Sequence, residues 1–562
     1  MFTLKRINQH YFISICTLCF LGITSPASLM PKAQAAETID FVYDSIQESL
    51  KITSLEKFVA DGTIDNNLGF YFGLLNINET EQQQFREILT KQIDISPVLL
   101  SRLLKTDEGE RLLDFFGNII EIQGGRNGAI ALRGAIISAA FSPDGLTLIN
   151  FLENLPVDVQ IDIRQSLKFA QNIDIVVKGT EIFVDKVAEL SAKEAQQSPP
   201  IDYSQLPDLT TPGKFTFTEQ KWMLEDKNRN RKFYALVYQP NQWRQPKTPV
   251  VVISHGLSSN PEYFQDKARH LASYGFFVIA PQHPGSDETY KNEFEQGYYA
   301  DVSDVNEFIN RPLDISFTLD ELEKRNQTEF DGKLDLENVG LYGHSYGGYT
   351  VLALAGATPA PNFQQLEQDC NKDLSRLNTA LLLECRALNL ERQSQDFRDE
   401  RVKAVIAANP VNASIFGQEG MGKIQIPIAI GAGSYDPATP FIFEQIRSFP
   451  WLTTPHRYLF LEEGQTHIDL SKLDGGMSKL MAMIPKVKLP SPQLISRYGR
   501  AEIIAFFEVY LAQKPDFLPY LDPAHAAYLS EGEEFKAYLI TQKSAAELIQ
   551  AVSEFKREHG IE

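Results

Sequence analysis

Asn338-Val339-Gly340-Leu341-Tyr342-Gly343-His344-Ser345-Tyr346-Gly347-Gly348 runs from an apolar stretch into the small-residue segment Tyr349-Thr350-Val351-Leu352-Ala353-Leu354-Ala355. The first part reads as a buried strand and the last as a helix, with Gly-x-Ser-x-Gly at the turn between them. A serine in such a turn is held in a strained backbone conformation with its oxygen projecting outward. The flanking glycines let strand and helix pass close together. The pattern predicts a nucleophile at Ser345. A glycine-rich turn of no chemical consequence is the alternative, and the rest of the chain decides between them.

Around this turn, apolar strands alternate with helical segments: Pro249 to Ile253, Phe276 to Ala280, Val339 to Tyr342, Val402 to Ala407, Ile426 to Gly431 and Arg457 to Leu461. Strands apolar on both faces and separated by helices predict a mostly parallel sheet with crossover helices. Lys214 to Trp222 and Lys232 to Tyr238 flank the polar turn Asp226 to Arg231, which predicts an antiparallel pair leading into the series. That order fits the α/β-hydrolase plan, an α/β fold with a mostly parallel central sheet flanked by helices.

Residues 36–195 read as a preceding all-α domain. Phe41, Val42, Ile46 and Leu50 recur at helical spacing, as do Leu99, Leu100, Leu103 and Leu104, and Ala129 to Ala140 has the composition of a closely packed helix. Residues 196–213 read as a linker, since Ala192 to Gly213 carries four prolines among Ser, Gln and Thr. The catalytic domain is expected over residues 214–515, and residues 516–562 read as a helical, charge-rich extension.

A serine hydroxyl needs a neighbouring base, and the base needs an orienting acid. With this fold the order along the chain is Ser, acid, His. Of nine histidines, only His456, His467, His525 and His559 follow the elbow. His467 lies just past the last apolar strand, on the loop where the base belongs. His456 precedes that strand, and the other two lie in the tail. Asp436, in the loop Gly433-Ser434-Tyr435-Asp436-Pro437 at a strand's C-terminal end, is the candidate acid; the alternative role is to cap the helix near Thr439. The strand before it ends in Asn409, which has no charge to stabilise an imidazolium. The oxyanion donors are expected to be the backbone N–H groups of Tyr346 and of Leu257 in the turn His255-Gly256-Leu257. His255 reads as a structural histidine holding that turn. No metal-ligand cluster or phosphate-cradling loop stands out, and the expected chemistry needs no cofactor.

The chain has 562 residues, 43% hydrophobic and 22% charged, the composition of a soluble globular protein of two or three domains. Its net charge of −20 argues against nucleic acid or an anionic membrane as partner. Lys5 and Arg6, the short apolar stretch Tyr11 to Thr24 and Ala33-Gln34-Ala35 form the pattern of a signal peptide over residues 1–35. An uncleaved anchor is the alternative. Export to the periplasm or the extracellular space is expected, with no membrane span after processing. Cleavage leaves Cys370 and Cys385, which in an exported protein read as a disulfide, with two buried thiols as the alternative.

His255-Gly256-Leu257, Ala280-Pro281-Gln282-His283-Pro284-Gly285-Ser286, Asn310-Arg311-Pro312-Leu313-Asp314-Ile315 and Gly343-His344-Ser345-Tyr346-Gly347-Gly348 occur in that order. Together they resemble the α/β-hydrolases related to platelet-activating-factor acetylhydrolase and dienelactone hydrolase, over roughly residues 215 to 515. Dienelactone hydrolases use a cysteine nucleophile, and this elbow holds Ser345. The N-terminal region is similar to a domain of uncharacterised function found ahead of hydrolases in cyanobacterial proteins. The resemblance implies an esterase or lipase-like enzyme.

Three functional readings follow. One is a carboxylic-ester hydrolase acting on a small-molecule ester or lipid. The second is a serine peptidase using the same triad, although no propeller domain precedes the hydrolase. The third is a catalytically silent binding protein, against which the intact Ser, Asp and His set argues.

Overall fold

Short strands, not helices, come first among the described residues. The computed structural model describes residues 35–359, 363–372, 377–391, 396–467 and 488–561, so the signal-like segment through residue 34 lies outside the described residues. Residues 35–92 with 113–163 form one unit, and residues 93–112 with 164–561 another.

In the first unit, Thr38–Tyr43 (β1) and Ile46–Lys51 (β2) form an antiparallel hairpin. Asp44, at φ 52°, makes the turn. Ile120–Ile122 (β3), Arg126–Asn127 (β4) and Val159–Asp162 (β5) complete a five-stranded sheet in the order β2-β1-β5-β3-β4. Phe41, Val42, Ile46 and Leu50 are therefore strand residues, which corrects the all-α reading of this region. Their spacing fits a helix, but Asp40 is buried and accepts hydrogen bonds from Ser49 Oγ at 2.6 Å and Gln47 Nε2 at 2.7 Å, which locks the hairpin. The rest of the unit is mainly helical. Ala129–Phe141 buries Ala131, Ala135 and Ala139 on one side, as the small-residue pattern predicts.

In the second unit, Phe217–Asp226 (β6) and Arg231–Pro240 (β7) pair antiparallel in full register. Thr248–Ser254 (β8), Phe277–Pro281 (β9), Leu334–His344 (β10), Val402–Ala408 (β11), Ile428–Gly433 (β12) and Arg457–Glu462 (β13) are the expected apolar strands. With Ala537–Thr541 (β14) they make a nine-stranded sheet in the order β14-β13-β12-β11-β10-β8-β9-β7-β6. The run from β13 to β9 is parallel, and β7 and β14 pair antiparallel at either side. All seven residues of β8 are buried, which explains the unbroken apolar run. The fold is the α/β-hydrolase arrangement.

Two domain boundaries shift. The helix Ile163–Gln196 places Phe183, Val187 and Leu190 in the same buried cluster as Leu459 and Ile540. Its Glu194 accepts hydrogen bonds from Thr541 N at 3.0 Å, Thr541 Oγ1 at 2.7 Å and Ser544 Oγ. It belongs to the hydrolase unit, not to the N-terminal domain. Helical periodicity shows that a face is buried but not against what. Likewise the tail is not only helical, because β14 extends the central sheet. The stretch 196–213 is docked rather than free: Leu209 is buried, its carbonyl meets His270 Nε2 at 3.0 Å, and the Tyr203 ring lies 5.2 Å from that of His525. Among the described residues, no helix is long and apolar enough to cross a membrane.

Candidate active site

The C-terminal ends of five neighbouring parallel strands supply the site. β10 runs to His344, and Ser345 follows at φ 58° and ψ −119°, ahead of the helix Tyr346–Leu354. A positive φ on a non-glycine residue is strained, and here the packing enforces it. A Cβ on Gly343 would lie 2.1 Å from Gly347 O, and a Cβ on Gly347 would lie 2.1 Å from Ser254 O. Only glycine fits these two places, so the elbow's shape follows from its sequence. Ser345 is 8% exposed, and its Oγ has no hydrogen-bond partner among the described residues.

β12 ends at Gly433 and β13 at Glu462, paired in register, and the loops beyond them carry Asp436 and His467. His467 Nδ1 and Asp436 Oδ2 are 2.7 Å apart. Asp436 also accepts from Ala438 N at 2.8 Å, Thr439 N at 2.9 Å, Thr439 Oγ1 at 2.8 Å and Asn409 Nδ2. Burial alone would raise this carboxyl; the adjacent His467 and the donated hydrogen bonds outweigh it and hold Asp436 below the ordinary carboxylate range. An ionised, acceptor-only carboxylate requires a proton on His467 Nδ1, which leaves Nε2 free as a base. Asp436 thus holds His467 and also closes the turn at Ala438 and Thr439; no helix starts near Thr439, the next one being Gln445–Ser448. His456 precedes β13, and His525 lies among Tyr203 and Tyr520, its imidazole held down at about 4 mainly by burial.

The turn after β8 lies against the elbow. A Cβ on Gly256 would stand 3.2 Å from Ser345 Cβ. The backbone N–H groups of Leu257 and Tyr346 have no acceptor among the described residues, leaving two donors beside the serine. His255 holds the turn from both ring nitrogens: Nδ1 donates to Gly256 O at 2.8 Å and Nε2 accepts from His283 N at 3.0 Å. Burial, together with the Arg311 charge, pushes His255 well below the usual histidine range, so it stays neutral.

Beneath the turn lies a polar network to which sequence reasoning gave no role. Arg311 is fully buried and donates to the His255 carbonyl, to Ser286 Oγ at 2.7 Å and to Thr350 Oγ1 at 3.1 Å. Its guanidinium carbon lies 4.6 Å from the Tyr346 ring centroid. It therefore ties the His255–Leu257 turn to the helix that follows Ser345. His283 joins Ser254 Oγ at 3.0 Å and Asp314 Oδ2 at 3.1 Å, while Arg231 pairs with Asp314 at 2.7 Å and with Glu307 at 2.9 Å. Burial raises Asp314 and carries Glu307 to about 8. Three of the quoted motifs meet here, and their charged residues were the available signal: Arg and Asp in apolar segments need partners when buried. Asn409 lacks the charge of a catalytic acid, yet its Nδ2 donates to Asp436.

Cys370 and Cys385 are disulfide-bonded, joining the helix Gln364–Asn371 to the turn Cys385–Asn389. Met477, Leu480, Met481, Met483 and Ile484, which from sequence read either as the wall of an adaptable acyl pocket or as the face of an amphipathic helix packed on the sheet, fall outside the described residues.

A family model described as an alpha/beta hydrolase of unknown function (DUF1400) matches residues 35–162, and the chlorophyllase family model matches residues 209–366. The chain belongs to the α/β-hydrolase superfamily. The chlorophyllase match spans the His255–Leu257 turn and the Ser345 elbow and ends before Asp436 and His467. Both matches suggest hydrolase activity. Among curated proteins, no match was found.

Proposed function

We propose that this α/β-hydrolase is an exported serine esterase that cleaves carboxylic esters, including lipid or acetyl esters, through an acyl-enzyme on Ser345. The observation that carries the reading is the placement at neighbouring strand ends of Ser345 on a strained elbow, the His467–Asp436 pair at 2.7 Å and two unengaged N–H groups, of Leu257 and Tyr346. His467 Nε2 takes the hydroxyl proton as Ser345 Oγ attacks the ester carbonyl. The carbonyl electrons move to oxygen, where the Leu257 and Tyr346 N–H groups meet the developing charge. Collapse expels the alkoxide, which receives the proton from His467. Water then enters by the same route and releases the acid. Asp436 remains ionised and stabilises the imidazolium throughout.

The chlorophyllase match supports an ester over a peptide substrate. The disulfide supports an oxidising compartment, in line with the signal-like N-terminus. A panel of p-nitrophenyl esters from acetyl to palmitoyl, run beside peptide p-nitroanilides with wild type and Ser345→Ala, tests the substrate class. Ester turnover that disappears in Ser345→Ala is expected. Turnover of anilides alone would establish the peptidase reading instead, and no turnover of either would favour the silent scaffold.

A further inference from the structure

His344 precedes Ser345 in the chain, and the proposed reaction assigns it no role. Its Nε2 lies 2.9 Å from the main-chain oxygen of His467. A carbonyl only accepts, so Nε2 is the protonated nitrogen and donates. Desolvation, followed by the neighbouring His467 and Lys267 charges, lowers this imidazole to about 3, so the neutral ring has a bare Nδ1. Nδ1 faces the other side of the site, 3.5 Å from where a Cβ on Gly256 would stand. The His344 and His467 ring centroids are 4.7 Å apart. One imidazole is thus wedged between the oxyanion turn and the loop that carries the base.

Ahead of His467, that loop is tied to the loop that follows β12. Gly464 N donates to Ser434 Oγ at 2.7 Å, and Tyr435 N donates to Gln465 O at 3.0 Å. Asp436 then fixes the side chain of His467 at Nδ1. A hold on one ring nitrogen leaves the ring free to swing about that hydrogen bond unless the backbone beneath it is fixed too. The His344 hydrogen bond supplies that second hold, from the residue next to the nucleophile.

We propose that His344 is a positioning residue for the base: its Nε2–H grips the carbonyl of His467 and keeps the His467 imidazole in register with Ser345. The inference rests on His467 being the base of the proposed esterase. A misplacement of about 1 Å at a reacting group can cost about a hundredfold in rate. The loss falls on kcat rather than KM, because ground-state binding of the ester does not use this contact.

The test compares His344→Gln, whose amide N–H reaches about as far as the imidazole Nε2–H, with His344→Met, which has similar bulk and no donor. Initial rates with p-nitrophenyl butyrate give kcat and KM, with active sites counted by fluorophosphonate titration. His344→Met should lose roughly ten- to hundredfold in kcat with KM within about threefold, and His344→Gln should recover to within about threefold of wild type. Equal rates for Met and wild type, or a Gln protein as impaired as the Met one, would overturn the proposal. If the Met protein does not fold, His344→Asn takes its place, because its amide is too short to span to the carbonyl and the same loss is expected. Ser345→Ala, assayed alongside, separates the two ideas. Activity there defeats the esterase reading, whereas an inert Ser345→Ala with no Met–Gln difference defeats only the role of His344.

Discussion

Replacing Asp436 with asparagine changes one oxygen into an NH2 group and leaves the volume nearly unchanged. In the structure every neighbour of this carboxylate is a donor: Ala438 N and Thr439 N on Oδ1, and Asn409 Nδ2, Thr439 Oγ1 and His467 Nδ1 on Oδ2. An amide must therefore turn its NH2 toward donors whichever way it faces. Facing the two backbone N–H groups, it unpicks the turn. Facing His467, it is met only by the imidazole tautomer with Nδ1 bare, and the proton then sits on Nε2, where it blocks acceptance from Ser345. Loss of the correct tautomer in a Ser-His-Asp arrangement costs up to about 10⁴ in kcat. A fall of 10³ to 10⁴ corresponds to about 4 to 5.5 kcal/mol of transition-state stabilisation. The assay is p-nitrophenyl butyrate hydrolysis under saturating substrate, with near-ultraviolet circular dichroism to show that the fold persists. A folded Asp436→Asn protein that keeps a tenth or more of wild-type kcat would refute this assignment of the acid.

Other expectations concern the frame of the site. Arg311→Met removes a buried cation that bridges the oxyanion turn and the elbow helix; breaking such a network costs about 3 to 5 kcal/mol, and an unchanged urea midpoint would show that it bears no load. The disulfide closes a loop of 15 residues and should contribute about 3 kcal/mol, so Cys370→Ser/Cys385→Ser should unfold at lower urea; equal midpoints would contradict that. Burial lifts Glu462, beside Lys267 and Glu502, to about 8, above its unfolded value of about 4.3. The native state then binds the proton more tightly, so this group's contribution is intact below about pH 4.3 and is lost as pH rises toward 8. Glu462→Gln should therefore gain thermal midpoint over wild type at pH 8 relative to pH 5, and an equal offset at both would argue against it.

Much of the site is legible in the sequence because its logic is local. The Gly-x-Ser-x-Gly turn imposes its own backbone, and Asp436 and His467 lie just past apolar strands whose order the fold dictates. The parallel strands are equally plain, since burial on both faces produces uninterrupted runs such as Val250-Val251-Val252-Ile253. What the sequence conceals is partnership at a distance. The hairpin of β1 and β2 has the spacing of a helix and is fixed by Asp40 meeting Ser49 and Gln47. The helix Ile163–Gln196 shows an amphipathic face without naming the sheet it covers. β14 lies in a polar, charge-rich tail and is a strand because β13 offers it an edge. Arg311 and His344 bond to partners between 25 and 123 positions away, which no spacing rule reveals.

The most direct test of the account is chemical. A fluorophosphonate that transfers its phosphonyl group to an activated serine should label the protein once per chain, and peptide mass mapping should place the adduct on Ser345. Labelling should rise in step with loss of esterase activity, vanish in Ser345→Ala and slow by several orders of magnitude in His467→Ala. An adduct on another residue, or ester hydrolysis retained in a folded Ser345→Ala protein, would contradict Ser345 as the nucleophile and with it the reading of the whole site.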